Sequence, residues 1–136
     1  MSEINKKLDL IKEEFSIFSD PRDKYIYLVD LAKTSKGLSV DEKIEINRIQ
    51  GCTSQAWVIK KDENNQLFFK TDSDAMIVKG LLSLIERSFN GHTPSEIIEI
   101  DGSKFLESVG LDRAISSQRT NGFSNAINKI QKEMLG

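Results

Sequence analysis

Gln55-Ala56-Trp57-Val58-Ile59-Lys60-Lys61-Asp62-Glu63-Asn64-Asn65-Gln66-Leu67-Phe68-Phe69-Lys70-Thr71 is the stretch that decides the fold. Gln55 to Lys61 and Leu67 to Thr71 read as two strands. Between them Asp62–Gln66 is a polar turn of residues that tolerate left-handed backbone. Just upstream, Ile44 and Ile46 alternate with Glu45 and Asn47, and Arg48 continues the alternation. That period predicts a further short strand with one apolar face. The expected sheet is a three-stranded antiparallel meander.

On both sides of this stretch the period lengthens to that of a helix. Ile4, Leu8, Ile11, Phe15 and Phe18 recur at spacings of three and four and predict a helix over roughly residues 3–18. Asp20 as N-cap and Pro21 in the first turn open a second helix, with Tyr25, Leu28, Val29 and Ala32 inward and a stop near Gly37. After the hairpin, Asp72-Ser73-Asp74 reads as the cap of a helix whose stripe runs from Ala75 through Val78, Leu81, Leu82 and Ile85 to Phe89. Asn90-Gly91 ends it. Short helical turns are expected at Thr93-Pro94-Ser95-Glu96 and over 103–109, and a last helix over 122–135. The fold class expected is α+β: a three-stranded antiparallel sheet packed against several helices, in one domain over 1–136.

With 136 residues, 38% hydrophobic and 29% charged, the chain has the composition of a folded domain that needs no disulfides. Its net charge of −2 and pI near 5.5 give no basic field for nucleic acid or an anionic membrane. The first residues lead into a polar helix rather than a signal segment, and no apolar run is long enough to span a bilayer. A single cysteine suits a reducing compartment, so the cytoplasm is the expected location.

That cysteine is Cys52, within Ile49-Gln50-Gly51-Cys52-Thr53-Ser54-Gln55-Ala56-Trp57-Val58. A lone thiol makes no disulfide within its own chain and no metal site with other cysteines. Two readings stay open: a small buried hydrophobe, or one sulfur in a glycine-flanked turn that meets a partner. Nearby N–H groups or a cation would lower its pKa, and apolar burial would raise it. His92, the only histidine, lies between Gly91 and Thr93 in an expected surface loop and reads as solvent-exposed. With one Cys and one His, a tetrahedral zinc site is not expected. Asp72 and Asp74 read as helix caps first and as a docking surface second. Trp57 reads as core. Arg119, in Ser116-Ser117-Gln118-Arg119-Thr120-Asn121-Gly122, reads as a loop residue before the last helix. No Walker A motif, dinucleotide loop or nucleophile elbow is present.

Five motifs in order extend the reading: Gly51-Cys52-Thr53-Ser54-Gln55-Ala56-Trp57, Asp72-Ser73-Asp74-Ala75, Ile77-Val78-Lys79-Gly80-Leu81-Leu82, Phe89-Asn90-Gly91-His92-Thr93-Pro94 and Arg119-Thr120-Asn121-Gly122. Together they resemble the SufE family, from the first helix to the C-terminus, whose fold is related to that of NifU-like proteins. Thr53 stands where the family often has Gln, and Ser116-Ser117-Gln118 where it commonly reads Ser-Pro-Ser. The resemblance implies a sulfur acceptor working with a pyridoxal-phosphate-dependent cysteine desulfurase and an iron–sulfur scaffold complex. It implies Cys52 as the persulfide-bearing residue, Arg119 as its support, and Gly51 and Asp74 in partner docking. No cofactor of its own is expected, and a homodimer stays open. Two other roles compete: a scaffold that assembles a cluster itself, which typically takes several thiolates, and an adaptor whose cysteine merely packs.

Overall fold

The hairpin forms where its composition predicts, and the helices pack around it. The computed structural model describes residues 3–52 and 54–135, so Thr53 lies outside the described residues. Strands β1 (Ala56–Glu63) and β2 (Gln66–Ser73) pair antiparallel, in register from Ala56↔Ser73 to Glu63↔Gln66. The turn is only Asn64-Asn65, with φ of 53° and 66°. A two-residue turn with positive φ at both positions matches the right-handed twist of the strands it joins. The strands therefore take up Asp62, Glu63 and Gln66, which the sequence assigns to the turn.

The expected third strand does not form; the sheet has two strands among the described residues. Glu45–Asn47 is a 3₁₀ turn instead, and only Arg48 bridges to the sheet, opposite Trp57. The backbone there satisfies itself locally: Asn47 N–H donates to Ile44 C=O and Arg48 N–H to Glu45 C=O, each at 3.0 Å. Two alternating isoleucines are too short a pattern to force a ladder. Ile44 and Ile46 remain 50% and 77% exposed.

Helix α1 (Glu3–Ser16) buries Ile4, Leu8, Ile11 and Phe15 of the predicted stripe and ends two residues short of Phe18, its last expected member. Helix α2 (Pro21–Thr34) starts with Pro21 at its first turn, and the Asp20 carboxylate accepts from Arg22 N–H at 2.9 Å. It ends three residues before Gly37. Helix α3 (Met76–Phe89) lies across β2 and α2. The expected cap is corrected here: Ala75 is the N-cap and has no side-chain cap bond, because β2 runs on through Ser73 and draws Asp72 into the sheet. Ser73 Oγ accepts from Ala75 N–H at 3.2 Å in its place.

Helices α4 (Pro94–Ile98) and α5 (Phe105–Ser108) are short, and α4 carries the Thr93/Glu96 capping box visible in the sequence. Helix α6 (Ser117–Lys129) begins five residues before the predicted start and continues as a wider π turn over Ile130–Met134. Ser116 caps it, accepting from Arg119 N–H at 3.3 Å. Arg119 and Gly122 thus stand on a helix, not in a loop. No helix among the described residues is long and apolar enough to cross a membrane.

A line of aromatic contacts joins sheet to last helix. Phe69, Phe89, Phe105 and Phe123 follow one another with centroids 6.3, 6.1 and 5.2 Å apart. Such ring pairs add about 0.5–1.5 kcal/mol each beyond their buried area. The line fixes α6 against α3, and these two helices frame the site described below.

Gly80, buried in α3, marks where α2 and α3 come closest. A Cβ at this position would lie 2.3 Å from the Leu28 carbonyl oxygen, a backbone atom that cannot turn aside. Gly80→Ala is expected to lower stability by about 3 kcal/mol despite alanine's better helix propensity. Chemical denaturation measures this, and an unchanged midpoint would contradict so close a helix contact.

Candidate functional site

Cys52 sits on a loop closed at both ends. Ile49 N–H donates to Ala56 C=O at 2.8 Å on one side. On the other, Gln55 N–H donates to Asp74 Oδ1 at 3.1 Å, while Asp74 N–H and Ser73 Oγ both donate to Gln55 C=O, at 3.1 and 2.7 Å. Asp74 therefore anchors the chain just downstream of Cys52, and its residue remains exposed. Gly51, at φ +85°, turns the loop; a Cβ there would lie 2.2 Å from the Asn125 side-chain amide of α6. Both constraints demand glycine. Asn125 carries no motif that would mark it in the sequence.

The half-buried Cys52 thiol points toward α6 and donates to the Gly122 carbonyl across 3.4 Å. Gly122 permits this approach: a Cβ on it would stand 3.3 Å from Cys52 Sγ. Beside the sulfur is a recess of about 20 Å³, walled by Val78, Leu81 and Leu82 of α3 and by Arg119, Gly122 and Phe123 of α6. Its apolar walls are the helix stripes read from the sequence. The space is on the order of one water-sized sphere, and so of one added atom.

Burial in this setting pushes the thiol pKa up, and the Arg48 cation opposes that only in part. The resting cysteine is held as a thiol. Arg119, carried over by motif as the supporting cation, does line the recess, but its guanidinium lies 5.9 Å over the Tyr25 ring. The charge that acts on the sulfur comes from Arg48, which the sequence shows only as a strand-like residue. Alkylation of resting Cys52 by iodoacetamide should rise with pH through a midpoint above the ordinary thiol value of 9.0. Arg48→Met should move that midpoint higher. A midpoint below the ordinary value, read from rate against pH, would contradict the buried setting.

His92 is corrected outright. It is only 7% exposed, its main chain bridges to Leu67, and Nδ1 lies 3.1 Å from Glu96 Oε2. It is not among the residues around Cys52. Trp57 is buried as expected, with Lys43 Nζ 5.4 Å above its ring. No group of three or more His, Cys, Asp or Glu among the described residues could hold a metal ion.

Asp72, expected as a helix cap, is a structural node instead. Buried in β2, it accepts from Leu38 N–H at 2.9 Å and from Ser73 N–H at 2.8 Å. Lys43 and Lys79 pair with its two oxygens at 3.2 and 3.7 Å. Burial works to raise its pKa, yet the two N–H bonds and the lysines outweigh that and hold it below the ordinary carboxylate value.

A family profile described as "SufE: Fe-S metabolism associated domain" matches residues 9–134. The chain belongs to the SufE family. It is similar to an uncharacterized SufE-like protein of Rhizobium etli, 33% identical over 93% of this chain and 88% of that one. An uncharacterized SufE-like protein of Synechocystis is 34% identical over 92% of this chain and 78% of its own. SufE-like protein 1, chloroplastic/mitochondrial, of Arabidopsis thaliana is 32% identical across 99% of this chain, which spans 36% of that longer protein. The solution structure of a hypothetical protein from Thermus thermophilus shares the fold, with a TM-score of 0.74 at 20% identity over 92% of this chain and 90% of that one. The SufE match is consistent with sulfur transfer in Fe–S metabolism, and it covers Cys52, Asp74 and Arg119 alike.

Proposed function

We propose that this SufE-family protein accepts one sulfur atom on Cys52 from the persulfide of a pyridoxal-phosphate-dependent cysteine desulfurase. It then passes that atom to a scaffold that builds iron–sulfur clusters. The observation that carries the reading is the lone thiol on a loop closed at both ends, resting against Gly122 beside a recess the size of one atom. The step is redox-neutral. Cys52 gives up its proton to solvent, its thiolate attacks the outer sulfur of the donor persulfide, a new Cys52–S bond forms, and the donor thiolate leaves with the old bond's electrons. Unloading reverses the pattern onto the next thiolate.

The resting geometry favours protection over reactivity. A half-buried, protonated thiol is a poor nucleophile and a poor target for oxidants. Docking of the donor draws the loop outward, where the Arg48 cation is no longer overruled by desolvation. Arg119 at the rim of the recess and the exposed Asp74 face complete the surface the donor meets. A reducing compartment such as the cytoplasm keeps the single thiol available.

Incubation with an active desulfurase and L-cysteine should add about 32 Da, one sulfur atom, to the tryptic peptide that carries Cys52. An active donor that leaves this peptide unchanged in mass would remove the proposal.

A further inference from the structure

Beyond the thiol's own recess, the backbone side of the Cys52 loop opens on a long trough. One depression of about 500 Å³ begins at Gln50 and Gly51, and a second of about 400 Å³ ends at Val58, Ile59 and Lys60 on β1. Ile46, Lys129 and Glu133 line both, so the two adjoin. We propose that this trough receives an extended, net-acidic segment of the sulfur donor while its persulfide reaches Cys52; the inference rests on the sulfur-acceptor reading above.

Charge is the first argument. Arg48, Lys60, Lys129 and Lys132 line the trough against Glu45 and Glu133, four positive groups to two negative, on a chain whose net charge is −2. Three of the four are engaged within the protein: Arg48 pairs with Glu45 at 3.8 Å, Lys129 with Glu133 at 3.3 Å and with Ile46 C=O at 3.2 Å, and Lys60 with Asp62 at 3.6 Å and with Met134 C=O at 2.6 Å. Lys132 makes no hydrogen bond or ion pair among the described residues, and it is the cation left for a partner. The wall's spacing is the second argument. Asn125, Asn128, Lys129 and Lys132 fall at i, i+3, i+4 and i+7, one face of α6 and its continuation. The amides of Asn125 and Asn128 are likewise unpaired among the described residues, each with a donor and an acceptor to offer a backbone.

Ile46 is the apolar anchor, 77% exposed beside the trough. At the far end the outer edge of β1 is bridged only at Trp57 among the described residues, so an added strand finds free backbone groups there. A small-molecule site closes over most of its ligand with largely apolar walls. Ammonium, amide and carboxylate groups along an open channel suit a peptide better. The near end is Gly51, the residue next to Cys52, so an occupant of the trough lies against the loop that carries the sulfur.

The test titrates the protein as acceptor against the cysteine desulfurase of the same organism. Lys132→Glu and Ile46→Asp, both surface changes, should each raise the KM for acceptor about tenfold, with the salt dependence of KM weakened in Lys132→Glu. Ile17→Asp, an exposed site away from the trough, serves as the control. A photo-crosslinking residue at Asn128 should capture a net-acidic segment of the desulfurase. If the parent gains sulfur on Cys52 but both variants keep their KM within about twofold, the trough proposal fails and the acceptor reading stands. Capture of a basic segment, or none, overturns it too. If the parent gains no sulfur, the acceptor reading fails and takes this inference with it.

Discussion

Cys52→Ser is expected to fold as the parent does, to gain no sulfur, and to lose all stimulation of the desulfurase. The hydroxyl is smaller than the thiol but keeps a partner, since it too can donate to the Gly122 carbonyl that receives the sulfur's proton at 3.4 Å. A satisfied polar group costs little, so the change in stability should stay within about 1 kcal/mol. The loss of chemistry is total for a different reason. An alcohol is scarcely ionised at neutral pH and does not attack a sulfur–sulfur bond, and the chain holds no other cysteine to stand in. Isolation of the sulfur also protects the cargo: a second thiol nearby would close a disulfide on the persulfide and expel its outer atom as sulfide. Intact mass, thermal unfolding and desulfurase turnover against acceptor concentration report the three outcomes separately. Stimulation that survives the substitution would leave an adaptor, with Cys52 as packing.

The sequence made the parts visible and left their meeting hidden. Period alone exposes the stripe of α1 and the strands of the hairpin, because burial of one face is a local pattern. The same rule fails at Ile44 and Ile46, where two apolar residues imitate a strand while a 3₁₀ turn satisfies the backbone. The start of α6 escapes notice because Ser116 to Asn121 is poor in helix formers, yet a single cap bond from Ser116 is enough to begin it. At the site, Cys52 stands out as a lone thiol in a glycine-flanked turn. Asn125 and the recess between α3 and α6 come from segments far from Cys52 in the chain, which no spacing rule connects, and Arg48, four residues upstream, carries no mark that its charge reaches the sulfur. His92 misleads for a related reason: its main chain pairs with Leu67 and carries the ring indoors.

Asp72→Ala should cost about 3 kcal/mol at neutral pH, a large share of a small domain's stability. The carboxylate holds four groups at once: the N–H of Leu38, 34 residues away, the N–H of Ser73, and the ammonium groups of Lys43 and Lys79. Alanine leaves the buried Ser73 N–H and the half-buried Leu38 N–H without acceptors, and two cations without their counter-charge. Asp72→Asn should fall between the two, since it keeps one acceptor oxygen and loses the charge. Acid separates the charge from the shape. These bonds favour the ionised form, so the folded pKa lies below the ordinary 3.8. The stability it contributes is complete above that ordinary value and drains away as the pH falls through the lower folded one. The gap between parent and Asp72→Asn, measured by urea unfolding, should therefore be widest near neutrality and close below the folded pKa. A gap that stays constant into acid would show that shape, not charge, makes the node. The effect should reach the sulfur as well. Leu38 and Lys43 flank the start of the segment that leads to Cys52, and freeing them loosens the loop from the upstream side. Iodoacetamide should then label Cys52 faster in Asp72→Ala than in the parent, under conditions where both are folded. Equal labelling rates would mean that the Ile49–Ala56 bond alone isolates the loop from its approach.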